Sequence, residues 1–294
     1  MRQKWTAAEL PDLTGSTFIV TGATAGLGEV TTRELARAGA RVVMAVRDEA
    51  KASRVVHGIG QTRGVIEVRQ LDLSRLASVR RFAQDWTGPV DVLINNAGIS
   101  LMPLQYTEDG FELQMATNYF GTFALTQALL PHLTDRVVSL SSQLHRTSRL
   151  RIDDLNYATH RYSPAAAYAD SKLAVVLFAN ELQRRLSNAG SGVRSITAHP
   201  GIARTALVAH DPSIFGRVNS LGPLLNDVEH GALPTLFAAT QDVPGGSYVG
   251  PDGLGGIKGF PVIGRASAAA RDAGGAKVLW EETASLVSGV MPAA

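Results

Sequence analysis

Tyr168 and Lys172 stand four residues apart in the segment A-A-A-Y-A-D-S-K, and residues at i and i+4 share one face of a helix. An unperturbed tyrosine hydroxyl has a pKa of about 10, which makes it a sluggish acid and base near neutrality. An ammonium group beside it stabilises the phenolate, each unit of pKa being worth about 1.4 kcal/mol. Such a pair can pass a proton to or from a substrate oxygen. With six tyrosines and five lysines in 294 residues, the spacing also arises by chance with a probability of about one in ten. The pair therefore has to be weighed with what surrounds it.

Upstream, Ser141 and Ser142 close the apolar run R-V-V-S-L-S. A serine hydroxyl at a strand end can donate a hydrogen bond to the substrate oxygen, a small oxyanion-type site. Near the N-terminus a β-branched run leads into Thr21-Gly22-Ala-Thr24-Ala25-Gly26-Leu27-Gly28 and then a helical pattern. Glycines let backbone bend sharply or let a phosphate approach amide groups, and the helix start behind them offers free N–H donors. Strand, glycine turn and helix in that order suit a dinucleotide pyrophosphate. The spacing G-x-x-x-G-x-G differs from the G-x-G-x-x-G fingerprint, and a turn serving only close packing is the alternative. The second strand ends Ala45-Val46-Arg47. At this point an acid suits the ribose of NAD, whereas an arginine accommodates the extra phosphate of NADP. Arg47 thus favours NADP over NAD, through its planar, always charged guanidinium; the alternative is a surface arginine beside Asp48, the cap of the next helix.

The elements that must position these residues alternate regularly. Short apolar runs fall at Ser16 to Thr21, Arg41 to Val46, Val65 to Gln70, Val90 to Asn95, Arg136 to Ser141, Val193 to His199 and Ser247 to Val249. Helical patterns fall at Glu29 to Ala38, Leu76 to Trp86, Phe111 to Leu133, Ala166 to Ser187, Val228 to Thr240 and Ala268 to Leu286. This predicts an α/β fold of the Rossmann, doubly wound type, a parallel sheet of about seven strands with helices on both faces. A single domain over 1–294 is expected, with a substrate loop at 202–227 and a C-terminal extension at 250–294 whose start, 251–262, reads as irregular.

Composition excludes several classes. Net charge is +2, with 28 basic and 26 acidic residues interspersed, so the footprint of a nucleic-acid binder is missing. There is no cysteine, hence no disulfide framework or thiolate site. The seven histidines show no metal-ligand spacing, and no metal is implied. No signal sequence or membrane-spanning run is evident, which reads as a cytoplasmic protein without a stable membrane anchor. His199, beside Pro200, reads as a structural histidine, His145 and His160 as loop residues that could edge the cleft, and the pairs Asp153-Asp154 and Glu281-Glu282 as solvated.

Taken together, these motifs resemble the short-chain dehydrogenase/reductase family. Thr21-Gly22, Gly26 and Gly28 match its T-G-x-x-x-G-x-G loop, and Asn95-Asn96-Ala97-Gly98 its N-N-A-G turn. Asp72, followed by Leu73, matches the acid that meets the adenine amine, and Pro200, Gly201, Ile202 and Thr205 fall on the P-G-x-x-x-T segment covering the nicotinamide. Asn118, Ser142, Tyr168 and Lys172 match the catalytic tetrad, which favours Ser142 over Ser141. Arg47, the long spacing from Ser142 to Tyr168 and Tyr248-Val-Gly-Pro-Asp-Gly resemble the branch of retinol dehydrogenases, WW-domain oxidoreductases and protochlorophyllide reductases. The Ala- and Arg-rich composition is similar to bacterial homologues. Thr24-Ala25, where the branch has Asn-Ser, is a departure.

The resemblance implies reversible hydride transfer between NADP(H) and a small carbonyl or alcohol substrate. Tyr168 would be the acid/base, Lys172 its electrostatic partner and ribose ligand, Ser142 the donor to the substrate oxygen, and Asn118 the holder of a water relaying protons to Lys172. It also implies a homodimer or homotetramer built on the helices from Phe111 and Ala166, faces that equally fit a monomer. Two other readings stay open: a cofactor-binding regulator without turnover, and a C=C or C=N reductase on the same fold.

Overall fold

The computed structural model describes residues 4–201 and 226–290. Its centre is one sheet in the order β3-β2-β1-β4-β5-β6-β7-β8. The strands are β1 (Thr17–Thr21), β2 (Arg41–Val46), β3 (Val65–Gln70), β4 (Val90–Asn95), β5 (Leu133–Leu140), β6 (Arg194–Ala198), β7 (Tyr248–Pro251) and β8 (Pro261–Gly264). The first seven are parallel and β8 pairs antiparallel with β7. β1 and β2 are buried along almost their whole length, which is why they read as continuous apolar runs rather than alternating ones.

Helices cover both faces. On one side lie α1 (Gly26–Arg37), α2 (Glu49–Ile59) and, later in the chain, α6 (Val228–Thr240), packed through residues such as Leu35, Ala52 and Leu236. On the other lie α3 (Leu76–Gln84), α4 (113–129), α5 (Pro164–Asn188) and α7 (Ala273–Val290). Pro164 opens α5 at its first turn, where a missing N–H costs nothing. This is the Rossmann-like doubly wound architecture expected, with one strand more than the seven anticipated.

Three details differ from expectation. Of the segment 251–262, expected to be irregular, 252–260 is bends and a short 3-10 turn, but Pro261 and Val262 open β8, which pairs Pro261 with Pro251 and Gly264 with Tyr248. The helix expected from Phe111 to Leu133 stops earlier: residues 130–132 form a 3-10 turn containing Pro131, and Leu133 already belongs to β5. Asp154, expected to be solvated beside Asp153, is buried. It accepts bonds from the Ala158, Thr159 and His160 N–H groups and from the Thr159 hydroxyl, and it pairs with His160 Nδ1. Burial alone would raise its pKa, but these partners hold it well below the usual carboxylate range.

α7 lies across α4 and α5, the helices on which the expected oligomer would be built. Trp280 stacks on Phe178 at 5.7 Å, meets Phe123 edge-on at 4.9 Å, and carries the Arg185 guanidinium at 4.4 Å. Truncating a buried aromatic costs about 3–5 kcal/mol. Trp280→Ala should lose that much in urea unfolding; a loss below about 1 kcal/mol would show that α7 contributes little to the core.

Candidate active site

The chain enters the sheet at β1 in its middle, and the connections from β1 and β4 leave in opposite directions. A crevice therefore opens beyond their carboxyl ends. Thr21, the last residue of β1, knits the two loops there: its hydroxyl accepts from the N–H of Asn96 at 3.0 Å and of Ala97 at 2.9 Å. Asn96 Nδ2 donates back to the carbonyls of Thr21 at 2.8 Å and Gly22 at 3.1 Å. Gly22 has φ of 65°, and a Cβ on it would lie 2.7 Å from Ala97 Cα. A Cβ on Gly28 would lie 2.5 Å from Asn96 Nδ2 and 2.6 Å from the Gly22 carbonyl. Both positions accept only glycine without displacement of the backbone.

The resulting cleft has a volume of about 610 Å³ and is lined by Gly22, Thr24, Ala25, Gly26, Leu27, Gly28, Arg47, Asp72, Leu73, Ala97 and Gly98, all anticipated from sequence. No side chain caps the N-terminus of α1, so its first-turn N–H groups are free for an anion. An uncapped helix start behind glycines that leave room for a phosphate fits a dinucleotide. Arg47 is exposed at the rim and makes no ion pair among the described residues. Asp48 beside it accepts the Lys51 N–H at 2.8 Å as the cap of α2. Asp72 lines the cleft while its Oδ1 holds Ser74.

Asn95, carried over from the N-N-A-G turn as a cofactor residue, does not line the cleft. It is buried, and its Nδ2 donates to Thr126 Oγ1 at 3.0 Å and Ser139 Oγ at 3.4 Å. The residue facing the cleft is Asn96, its neighbour in the same motif, because successive residues of a strand point to opposite sides.

Tyr168 and Lys172 are both buried on α5. Lys172 Nζ donates to the Leu140 carbonyl at 3.0 Å and lies 5.8 Å from the centroid of the Tyr168 ring. Burial pushes the Tyr168 hydroxyl up to about 12, opposed by a hydrogen bond from Ser142; burial pulls Lys172 down to about 8. Ser141 and Ser142 separate cleanly. Ser141 Oγ donates to the Lys172 carbonyl at 2.8 Å, a buried tie between β5 and α5, while the Ser142 hydroxyl faces Tyr168.

Asn118 sits in a π-helical turn, Ala116–Phe120, where the Gly121 N–H reaches back to the Ala116 carbonyl. Such turns recur at functional sites, and periodicity does not disclose them. Asn118 Oδ1 accepts the Ile99 N–H at 2.8 Å, and its Nδ2 donates to the Ile99 carbonyl at 3.0 Å and Ser171 Oγ at 2.9 Å. Gly98 lies between it and the lysine: a Cβ there would be 3.2 Å from Lys172 Nζ and 3.3 Å from Asn118 Oδ1.

Two supporting residues escaped the sequence reading. His145, expected in a loop, is buried; its Nδ1 donates to the Ser142 carbonyl at 2.7 Å and its Nε2 accepts the Ser267 N–H at 3.2 Å, fixing the backbone that carries Ser142. Asp170, two residues from both Tyr168 and Lys172, accepts from Ser148 Oγ at 2.5 Å, the Arg149 N–H at 3.1 Å and the Tyr157 hydroxyl at 2.6 Å. It ties the long segment between Ser142 and Tyr168 to the helix bearing the pair. Neither residue carries a local signal, since its partners are distant in sequence or lie in irregular chain. Pro200 and Gly201 follow β6, and Gly201 has φ of 72°; Ile202 and Thr205 lie outside the described residues.

A sheet of this order with a glycine turn after its first strand is of the dinucleotide-binding class, and the comparisons narrow it. Residues 16–213 match the short chain dehydrogenase family. Retinol dehydrogenase 13 of Homo sapiens is 41% identical over 293 residues, covering 93% of this chain and 85% of that protein. Polyprenol dehydrogenase of Mus musculus is 42% identical over 258 residues, covering 82% and 77%. A crystal structure of an uncharacterized protein from Mycobacterium Paratuberculosis aligns with a TM-score of 0.85 at 47% identity, covering 97% of this chain and 98% of that one. The chain belongs to the short chain dehydrogenase family. It is an oxidoreductase of the class acting on CH–OH groups, in a family that binds NAD(P). Among the described residues no helix is long and apolar enough to cross a membrane.

Proposed function

We propose that the protein interconverts an apolar aldehyde or ketone and the corresponding alcohol with NADP(H). The cluster of Ser142 with the buried pair Tyr168 and Lys172 carries this reading: the Ser142 hydroxyl opposes the effect of burial on the Tyr168 phenol, and the Lys172 ammonium lies 5.8 Å from the centre of the phenol ring. The cofactor, bound along the glycine loop, supplies or takes up the hydride. Tyr168 gives its proton to the carbonyl oxygen in reduction and recovers it in oxidation, Ser142 holds that oxygen, and Lys172 stabilises the phenolate. Asn118 clamps the turn at Ile99 and holds a water that returns protons to Lys172. An apolar substrate is supported by Met102 and Leu113 on the cleft wall and by two relatives named for long isoprenoid alcohols. NADPH oxidation over a panel of aldehydes, ketones and quinones tests the reading, with retinal expected among the better substrates; activity on none would favour a regulator without turnover.

Preference for NADP rests on Arg47 and on the engagement of Asp48 in capping α2. A charge-assisted bond to a phosphate contributes about 1.5–3 kcal/mol. Arg47→Ala should therefore weaken NADPH about tenfold or more in fluorescence titration and leave NADH unchanged. Equal affinities of the wild-type protein for the two cofactors would remove the proposed role. The cysteine-free sequence suits the reducing cytoplasm, the setting this proposal adopts, and cell fractionation tests it.

A further inference from the structure

A second cavity, of about 450 Å³, lies between the segment after Ser142 and the β7–β8 hairpin. Gln143, Arg146, His199, Tyr248, Gly256 and Arg265 are among its lining, and it shares no described residue with the cofactor cleft. His199 is only 3% exposed. Its Nδ1 accepts the Gly201 N–H at 3.2 Å, which puts the ring proton on Nε2. Among the described residues that Nε2–H has no acceptor, and His199 lines the cavity. The space in front of it is kept clear by glycines: a Cβ on Gly250 would lie 1.8 Å from Nε2, and one on Gly256 3.5 Å. The Tyr248 ring stacks on the imidazole at 4.9 Å and 21°, fixing its plane.

The mouth is cationic. Arg146 is braced by bonds from Nε to Gln143 Oε1 at 2.8 Å and from Nη2 to the Arg265 carbonyl at 2.7 Å. Neither Arg146 nor Arg265 has an ion-pair partner among the described residues, and no described carboxylate lines the cavity. Burial above all, with the Arg146 charge adding to it, holds His199 down at about 3, so it remains a neutral donor at physiological pH. A pocket with a fixed N–H at its floor, two guanidiniums at its rim and no acid selects an acceptor-rich anion.

We propose that this cavity is a second binding site, for a small carboxylate or phosphate group, held by His199 Nε2–H, Arg146 and Arg265. The proposal is independent of the carbonyl reading, because it uses none of the catalytic side chains. A free anion and an acid group on the substrate present the same chemistry. Both rim arginines are exposed, so their substitution spares the core.

The test is a thermal-shift titration of the full chain with inorganic phosphate, with NADP saturating the cofactor cleft and KCl at matched ionic strength as reference. A saturable rise in Tm is expected in the wild-type protein, with at least tenfold weaker apparent affinity in Arg146→Ala and Arg265→Ala. No saturable rise beyond KCl, or equal rises in all three proteins, would overturn the site. Phosphate competing with the carbonyl substrate would support an acid group on the substrate, and saturable binding without competition would support a free effector.

Discussion

Replacing Tyr168 by phenylalanine is expected to lower kcat/KM for any carbonyl substrate by about 10³-fold or more, with NADPH affinity unchanged. Only the hydroxyl is removed; the ring keeps its packing in α5, so the variant should fold. The size of the effect follows from the buried setting. With its pKa pushed up to about 12 in the protein without cofactor, the phenol holds its proton firmly and yields it to an oxygen aligned by Ser142. Near-wild-type turnover in the variant would reject Tyr168 as the acid/base, and lost NADPH binding would mean that the substitution had disturbed more than the proton donor.

Lys172→Met should move activity and stability in opposite directions. The ammonium is needed to stabilise the phenolate, and its loss should lower turnover about 100-fold or more. In the folded protein Lys172 is 4% exposed and, among the described residues, its ammonium has one acceptor, the Leu140 carbonyl, and burial pulls its pKa from 10.5 down to about 8. The buried charge therefore costs the fold up to about 3 kcal/mol near neutrality, which methionine relieves. Between about 8 and 10.5 the unfolded chain holds a proton that folded Lys172 has released, so wild-type stability gains a contribution as pH rises through that window. Urea unfolding across this range should show the methionine variant more stable near neutrality, with the difference shrinking as pH rises. A variant less stable than wild type throughout would contradict the account of a strained, functional lysine.

Which parts of this were legible in the sequence follows from whether the signal was local. The inner parallel strands such as β1 and β2 showed because strands buried on both faces are continuous apolar runs, and the glycine loop because Gly22 and Gly28 meet backbone constraints that no other residue satisfies. β8 was hidden because its four residues sit in a glycine-rich stretch and exist as a strand only through pairing with β7. That Asn96 rather than Asn95 lines the cleft was not legible, because a shared motif does not say which side chain turns outward. The choice of Ser142 over Ser141 followed the family pattern; the physical reason, that Ser141 is occupied by the Lys172 carbonyl, needed coordinates. His145 and Asp170 act through partners far along the chain or in irregular segments, and Asp154 is buried by the turn it organises.

The central claim is that a hydride passes between the nicotinamide and a carbonyl carbon while Tyr168 handles the proton. The most direct measurement is a single-turnover reaction with NADPH deuterated at the transferable nicotinamide position and an apolar aldehyde such as retinal, with the product analysed by mass spectrometry. The account predicts one deuterium on the carbinol carbon of the alcohol in the wild-type protein and none formed by Tyr168→Phe. Reduced product carrying deuterium on a former C=C carbon, or NADPH consumed without a deuterated alcohol, would contradict it.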